Sequence, residues 1–292
     1  MMTMIKIKND RIQVSISTLG AEIQEVTSVK DRFDYIWNDV TGEYWKRHAP
    51  ILFPIIGRLN DNTYFYHGNQ YELSQHGFLR DQEFSIVMKD VNFVKLQSSA
   101  NDKTQIEYPF NYRFTVTYQL VDNQLKIQYE IENLDAKTMY YSLGLHPGFT
   151  VESDLENYHL VFEPHADEIK ELRVDPAPFL NGVSKIYSLQ NGTLPLSHAK
   201  LDNGLVIYSV DNFTNVQLVN TQSSHSVQLD ISAFPYLAVW SPEHRNAPFV
   251  CVEPFKGLPD VYGKPGKLQD KLGENSVLVS ETDMIKTSIR VY

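Results

Sequence analysis

The 292-residue chain has a formal net charge of −10 and is 42% hydrophobic, which suffices for the core of one large all-β domain or two average ones. That acidity excludes nucleic acid as the main partner, since phosphate backbones are held by basic faces, and it disfavours a membrane surface. Cys251 is the single cysteine, so no intrachain disulfide forms. With no run near 18 apolar residues and no apolar signal core in MMTMIKIKND, the expected location is cytoplasmic.

In chain order, RIQVSIST (11–18) opens a series of period-two segments rich in Val, Ile, Thr and Tyr, the pattern of half-buried strands. DVTGEYWKRHAP (39–50) predicts a short helix capped by Asp39 or Thr41 and stopped before Pro50. FTVTYQLV (114–121) and LKIQYEIEN (125–133), joined by a turn within VDNQ, predict a hairpin. SDLENY (153–158) predicts a single helical turn. GLVIYSV (204–210), NVQLVN (215–220) and HSVQLDIS (225–232) continue the strand pattern. The loop-like stretch 174–203 holds too many spaced apolar residues for a linker, and no repeat or low-complexity tract divides the chain. About two dozen strands follow, in one domain spanning 1–292, which a large antiparallel β-sandwich accommodates.

Three segments set an ionisable side chain among glycine, proline and aromatics: QHGFLR (75–80), GLHPGF (144–149) and CVEPFKGLPD (251–260). Glu253 arrives at the end of the apolar strand FVCV, where burial would raise its pKa into the range of a useful base; a structural glutamate bonded to backbone amides is the alternative. His146 precedes Pro147 and lies between Gly144 and Gly148, open enough for a ligand to approach. His76 repeats that arrangement. Arg58 follows an apolar strand and Gly57, and offers a fork of donors to vicinal hydroxyls or a carboxylate; an ion pair with Asp61 is its alternative. Arg80 and Asp81 can pair with each other and carry no assigned role. Trp240, Phe234, Tyr236, Phe255 and Phe78 lie near these groups in sequence, either as faces for a sugar ring or as core. HxH, HExxH, CxxC, GxGxxG, Walker-type and GxSxG patterns are absent, so neither a dedicated metal site nor a nucleotide cofactor is expected. A His76–His146–Glu253 metal set is the remaining metal alternative.

The order RHAPILFPIIGRLNDNTY, LSQHGFLRDQEF, YSLGLHPGFT, FPYLAVWSP, APFVCVEPFKGLPD resembles the aldose 1-epimerase (galactose mutarotase-like) superfamily, and within it the LacX-like branch. The resemblance implies an all-β fold, a large antiparallel sandwich with few short helices, and cofactor-free interconversion of hexose anomers. Carried onto this chain, it implies Glu253 as general base, His146 as general acid, and Arg58, His76 and Trp240 as sugar-contacting residues. Asp202 matches the family's substrate-binding aspartate in kind, with Asp211 as its competitor. The acid and base are expected to face each other across a gap about as wide as a pyranose. A non-catalytic sugar-binding protein, a hexose-phosphate 1-epimerase and a two-carboxylate glycoside hydrolase are the alternatives. Monomer and homodimer both stay open.

Overall fold

The computed structural model describes residues 3–39 and 41–292. Among them are 24 strands, two short α-helices and four 3₁₀ turns, in agreement with the strand count expected from patterning. The hairpin forms between Tyr112–Val121 and Gln124–Asn133, with Leu120 opposite Leu125 and Val116 opposite Tyr129. Its alternation holds along both strands: Phe114, Val116, Tyr118 and Leu120 are buried with Leu125, Ile127, Tyr129 and Ile131. The two-residue loop works because Asp122 takes a positive φ of 52°, which suits the twist of a tight hairpin.

Two large sheets carry the architecture. A nine-stranded sheet contains this hairpin, flanked by Thr282–Val291 on one side and Phe93–Ser99 on the other. An eight-stranded sheet runs in the order Leu180–Ser188, Glu168–Val174, Val206–Ser209, Tyr236–Trp240, Phe249–Lys256, Leu143–Leu145 and Ile51–Leu52. Its eighth strand, Gly148–Thr150, also pairs with Phe249–Lys256. All these pairings are antiparallel.

Phe249–Lys256 decides where the site lies. Period-two geometry sends Val250 and Val252 to one face and Phe249, Cys251, Glu253 and Phe255 to the other. The two valines join the main apolar cluster, which includes Phe114, Val116 and Ile131 of the nine-stranded sheet. Burying each contributes about 1.5–3 kcal/mol. Phe255 belongs to a second cluster with Leu52, Ile207 and Ala238, and Phe249 and Cys251 to a third with Trp37, Trp45 and Trp240. The sheet is thus covered on both faces, which is why FVCV reads as a continuous apolar run.

The expected helix over 39–50 is not present among the described residues 41–50. Asp39 instead closes a turn, accepting from the amides of Thr41, Gly42 and Tyr44. Gly42, at φ +67°, turns the chain out of the helical region. Beyond it, Glu22 accepts from the amides of His48 and Ala49 and Trp37 Nε1 donates to the Trp45 carbonyl. Contacts from distant segments therefore hold a loop where local preference favours a helix. The single turn expected near 153–158 is the 3₁₀ turn Leu155–Asn157.

Candidate active site

His146 and Glu253 occupy one register pair of an interrupted ladder. Gly144 pairs with Phe255 and Gly148 with Cys251, so an unbroken count puts His146 directly opposite Glu253. Regular pairing lapses there because two donors are missing. Val252 N–H reaches the Pro147 carbonyl at 3.3 Å, and Pro147 has no N–H to return. Pro254, two residues on, aims its absent N–H at the same edge. His146 N–H points the other way, to the Pro50 carbonyl. The pair therefore sits at a non-hydrogen-bonded position, where facing side chains approach most closely. Glu253 lies in mid-strand, not at the strand end expected from sequence.

His146 Nε2 is 3.3 Å from Glu253 Oε2, with the two side chains 10% and 2% exposed. Burial dominates both groups. It pushes the Glu253 carboxyl well up; it holds the His146 imidazole down to about 3, with the positive charges of Arg80 and Arg47 acting in the same sense. Burial thus favours the uncharged forms of both groups, a carboxylic acid beside a neutral imidazole, despite their ion-pair distance. His146 Nδ1 is buried without a hydrogen-bond partner.

Both residues line a cavity of about 490 Å³, together with Trp45, Arg58, Gln75, His76, Arg80, Trp240 and Glu243. That size falls within the range of small-ligand sites. The tautomer of His76 follows from its contacts. Gly57 N–H donates to its Nδ1 at 3.1 Å, so the neutral ring carries its proton on Nε2. Burial lowers its pKa well below the ordinary value, and His146 and three arginines add to that effect. His76 itself takes φ +67° and Gly77 +68°. A Cβ on Gly77 would lie 2.3 Å from the Phe53 carbonyl oxygen, so only glycine fits this turn. Arg58 Nε donates to Gln75 Oε1 at 3.3 Å instead of pairing with Asp61. Arg80 Nη2 donates to the Gln75 carbonyl, while Arg80 Nε is buried without a hydrogen-bond partner. Of the aromatic candidates, Trp240 and Phe255 line the cavity. Trp240 lies edge-on to the His146 ring with centroids 5.7 Å apart and donates from Nε1 to Glu243.

Asp202 is not among the lining residues. Its carboxylate accepts from the His244 amide at 2.7 Å and lies 3.5 Å from the His244 ring, which ties the end of the helix His198–Leu201 to the distant turn after Tyr236–Trp240. Asp211 accepts from Ser209 Oγ and is also off the cavity wall. The acidic residue at the cavity besides Glu253 is Glu243. Sequence reading passed over Glu243, Gln75 and Trp45, and left Arg80 without an assigned role. Trp45 lay within the expected helix, and Arg80 was matched with Asp81, which it does approach at 3.8 Å. Among the described residues, metal-type donors converge at His146, Cys251 and Glu253, within 4.8 Å of one another; Cys251 takes the place expected of His76.

The same fold recurs among known proteins. The family model described as aldose 1-epimerase matches residues 3–268. The plasmid and chromosomal LacX proteins of Lactococcus lactis subsp. lactis are each 29% identical over 297 residues, covering 95% of this chain and 96% of theirs. A galactose mutarotase-like protein from Lactobacillus casei superposes with a TM-score of 0.94 at 37% identity, over 99% of this chain and 100% of that one. A galactose mutarotase related enzyme from Lactobacillus acidophilus gives 0.93 at 28% identity, over 99% and 97%. A putative aldose 1-epimerase from Escherichia coli, at 15% identity and TM-score 0.78, shares the fold.

Proposed function

This chain belongs to the aldose 1-epimerase family, and on that premise we propose that it interconverts the α and β anomers of a hexose by acid–base opening and reclosure of the ring. The observation that carries this reading is the 3.3 Å approach of His146 to Glu253 in a cavity wall.

In the proposed reaction Glu253 takes the proton of the C1 hydroxyl while His146 delivers one to the ring oxygen. The C1–O5 bond breaks, a C1 carbonyl forms, rotation about C1–C2 presents its other face, and reclosure gives the opposite anomer. Both reacting oxygens are bonded to C1, so acid and base need to sit side by side. The observed contact suits this better than the ring-wide gap expected from sequence.

Burial supports the pairing of roles. Either charge alone is unfavourable in this site, but moving one proton from Glu253 to His146 leaves the net charge unchanged and makes each group ready for its step. The imidazolium so formed is a strong acid, because burial and the nearby arginines oppose it. Each positioned acid or base contributes on the order of 10²–10⁴ in rate. His76 Nε2–H, Gln75 and Arg58 supply donors for sugar oxygens, and Trp240 an aromatic face.

The test is proton NMR or polarimetry on freshly dissolved α-glucose and α-galactose. Equilibration should quicken in proportion to protein concentration. No acceleration over buffer for any neutral or phosphorylated hexose would overturn the reading.

One observation favours an anionic hexose as a second reading: Arg58 and Arg80 both line the cavity, and two guanidinium groups there suit an acidic substituent. Comparing glucose with glucose 6-phosphate in the same assay separates the two.

A further inference from the structure

Cys251 is buried, shows no exposure, and has no part in the reaction proposed above. Its position is set by the same strand geometry that sets Glu253: residues two apart on one strand share a face, and His146 stands opposite Glu253. One donor atom from each of His146, Cys251 and Glu253 lies within 4.8 Å of the others. Opposite Cys251 the register places Gly148, where an added Cβ would press on Trp45, Trp37 and Phe249 at 3.2–3.3 Å. Gly148 thus puts no side chain of its own opposite the thiol, and aromatic rings close over that position.

We propose that His146, Cys251 and Glu253 form a binding site for a borderline-soft divalent cation of the zinc type, and that its occupancy switches the enzyme off. A nitrogen, a thiolate sulfur and a carboxylate oxygen are the donor types such ions select. Tetrahedral binding with bonds of about 2.0–2.3 Å sets ligands roughly 3.5 Å apart. His146 Nε2 and Glu253 Oε2 already meet that spacing at 3.3 Å, and bringing in the sulfur asks for a side-chain movement of ~1 Å.

Charge balance favours the ion. A dication with one thiolate, one carboxylate and a neutral imidazole sums to zero, so the complex suits a buried site in which either anion alone is costly. Trp37, Tyr44, Trp45 and Trp240 pack against the cluster of Ala247, Phe249 and Cys251, and the thiol is closed off from solvent. His146 and Glu253 border the cavity while Cys251 does not, so the fourth coordination position opens toward the cavity. Binding occupies the lone pairs that the base and acid need, and it competes with the sugar. This inhibition rests on the epimerase reading; the metal site itself does not.

Titrating the reduced, metal-free protein with Co²⁺ tests the site directly. One equivalent should produce a near-ultraviolet thiolate-to-cobalt charge-transfer band, and Zn²⁺ should abolish it. Because the chain has one cysteine, the band can arise only from Cys251, so its absence overturns the proposal without any variant and regardless of the enzyme's activity. Cys251→Ser, or Cys251→Ala should the serine not fold, should lose the band and weaken Co²⁺ binding by at least about tenfold, as losing a direct ligand exceeds the 10–100-fold typical of outer-shell partners only in severity. The same variant should keep its metal-free epimerase rate and need at least about tenfold more Zn²⁺ for half-inhibition. Unchanged zinc sensitivity in that variant would contradict the switch.

Discussion

Trp45 lies over the imidazole of His146, with ring centroids 4.8 Å apart and planes inclined by 28°. The same indole meets Trp240 edge-on at 5.7 Å. His146 is thereby held between two tryptophans while its Nε2 faces Glu253. Trp45→Leu should lower kcat by about 10–100-fold through lost alignment, with a smaller change in KM. A merely structural role would leave the pH profile unmoved. A positioning role shifts the acidic limb of kcat upward, since a wetter imidazole regains protons more readily, and steady-state kinetics across pH read this out.

Glu253→Gln and His146→Asn should each lower kcat by about 10²–10⁴ with the fold intact by circular dichroism. Glu253→Gln should also stabilise the protein at neutral and alkaline pH. Burial raises the folded-state pKa of Glu253, so its protonated form is the stable one; the associated stability is present below about pH 4.5 and is lost as pH rises toward the folded value. An amide carries no such penalty. Thermal unfolding should show the variant ahead by about 0.5–2 kcal/mol near pH 8, with the advantage vanishing below pH 4.5. A variant less stable than the wild type at pH 8 would contradict the burial argument.

Arg58→Ala should raise KM by about 10-fold or more with any hexose, as a charged hydrogen bond of ~1.5–3 kcal/mol is lost. Arg80→Ala discriminates between substrate classes. For a neutral sugar its main effect is on His146, and KM changes little; for a phosphorylated sugar KM rises steeply. Paired kinetics on glucose and glucose 6-phosphate decide which holds.

Away from the site, His225 bridges Glu152 at 2.9 Å and Asp31 at 3.2 Å and stacks on Phe33 with centroids 4.0 Å apart. Partial burial pulls its pKa down, but the hydrogen bonds to the two carboxylates outweigh this and the net shift is upward. A raised folded-state pKa means stability fully present below the ordinary histidine value and lost as pH rises through the folded one. His225→Gln should therefore lower Tm at pH 5.5 and do so much less at pH 9. An equal loss at both pH values would show that packing on Phe33, not charge, is what His225 contributes.

Much of this was legible from residue order. The hairpin of 114–121 and 125–133 announced itself through strict alternation on both sides of a short turn within VDNQ. The two central site residues also carried a local signal: His146 and Glu253 each precede a proline, and those prolines open the ladder where the two side chains meet. What stayed hidden depended on distant partners. Loop 41–50 keeps its shape through Glu22 and Trp37, so Trp45 could not be placed over His146 from its own neighbourhood. Asp202 looked like a ligand residue because it precedes a strand, yet the turn through His244 takes up its carboxylate. Glu243 reaches the cavity through a turn that has no periodic pattern.

The most direct test of the central claim is a crystal structure of the Glu253→Gln protein with a bound hexose. The sugar's O1 should lie within hydrogen-bond distance of the residue 253 side chain and its O5 within the same distance of His146 Nε2. A hexose seated in this cavity with C1 turned away from both groups, or bound only elsewhere on the molecule, would contradict it.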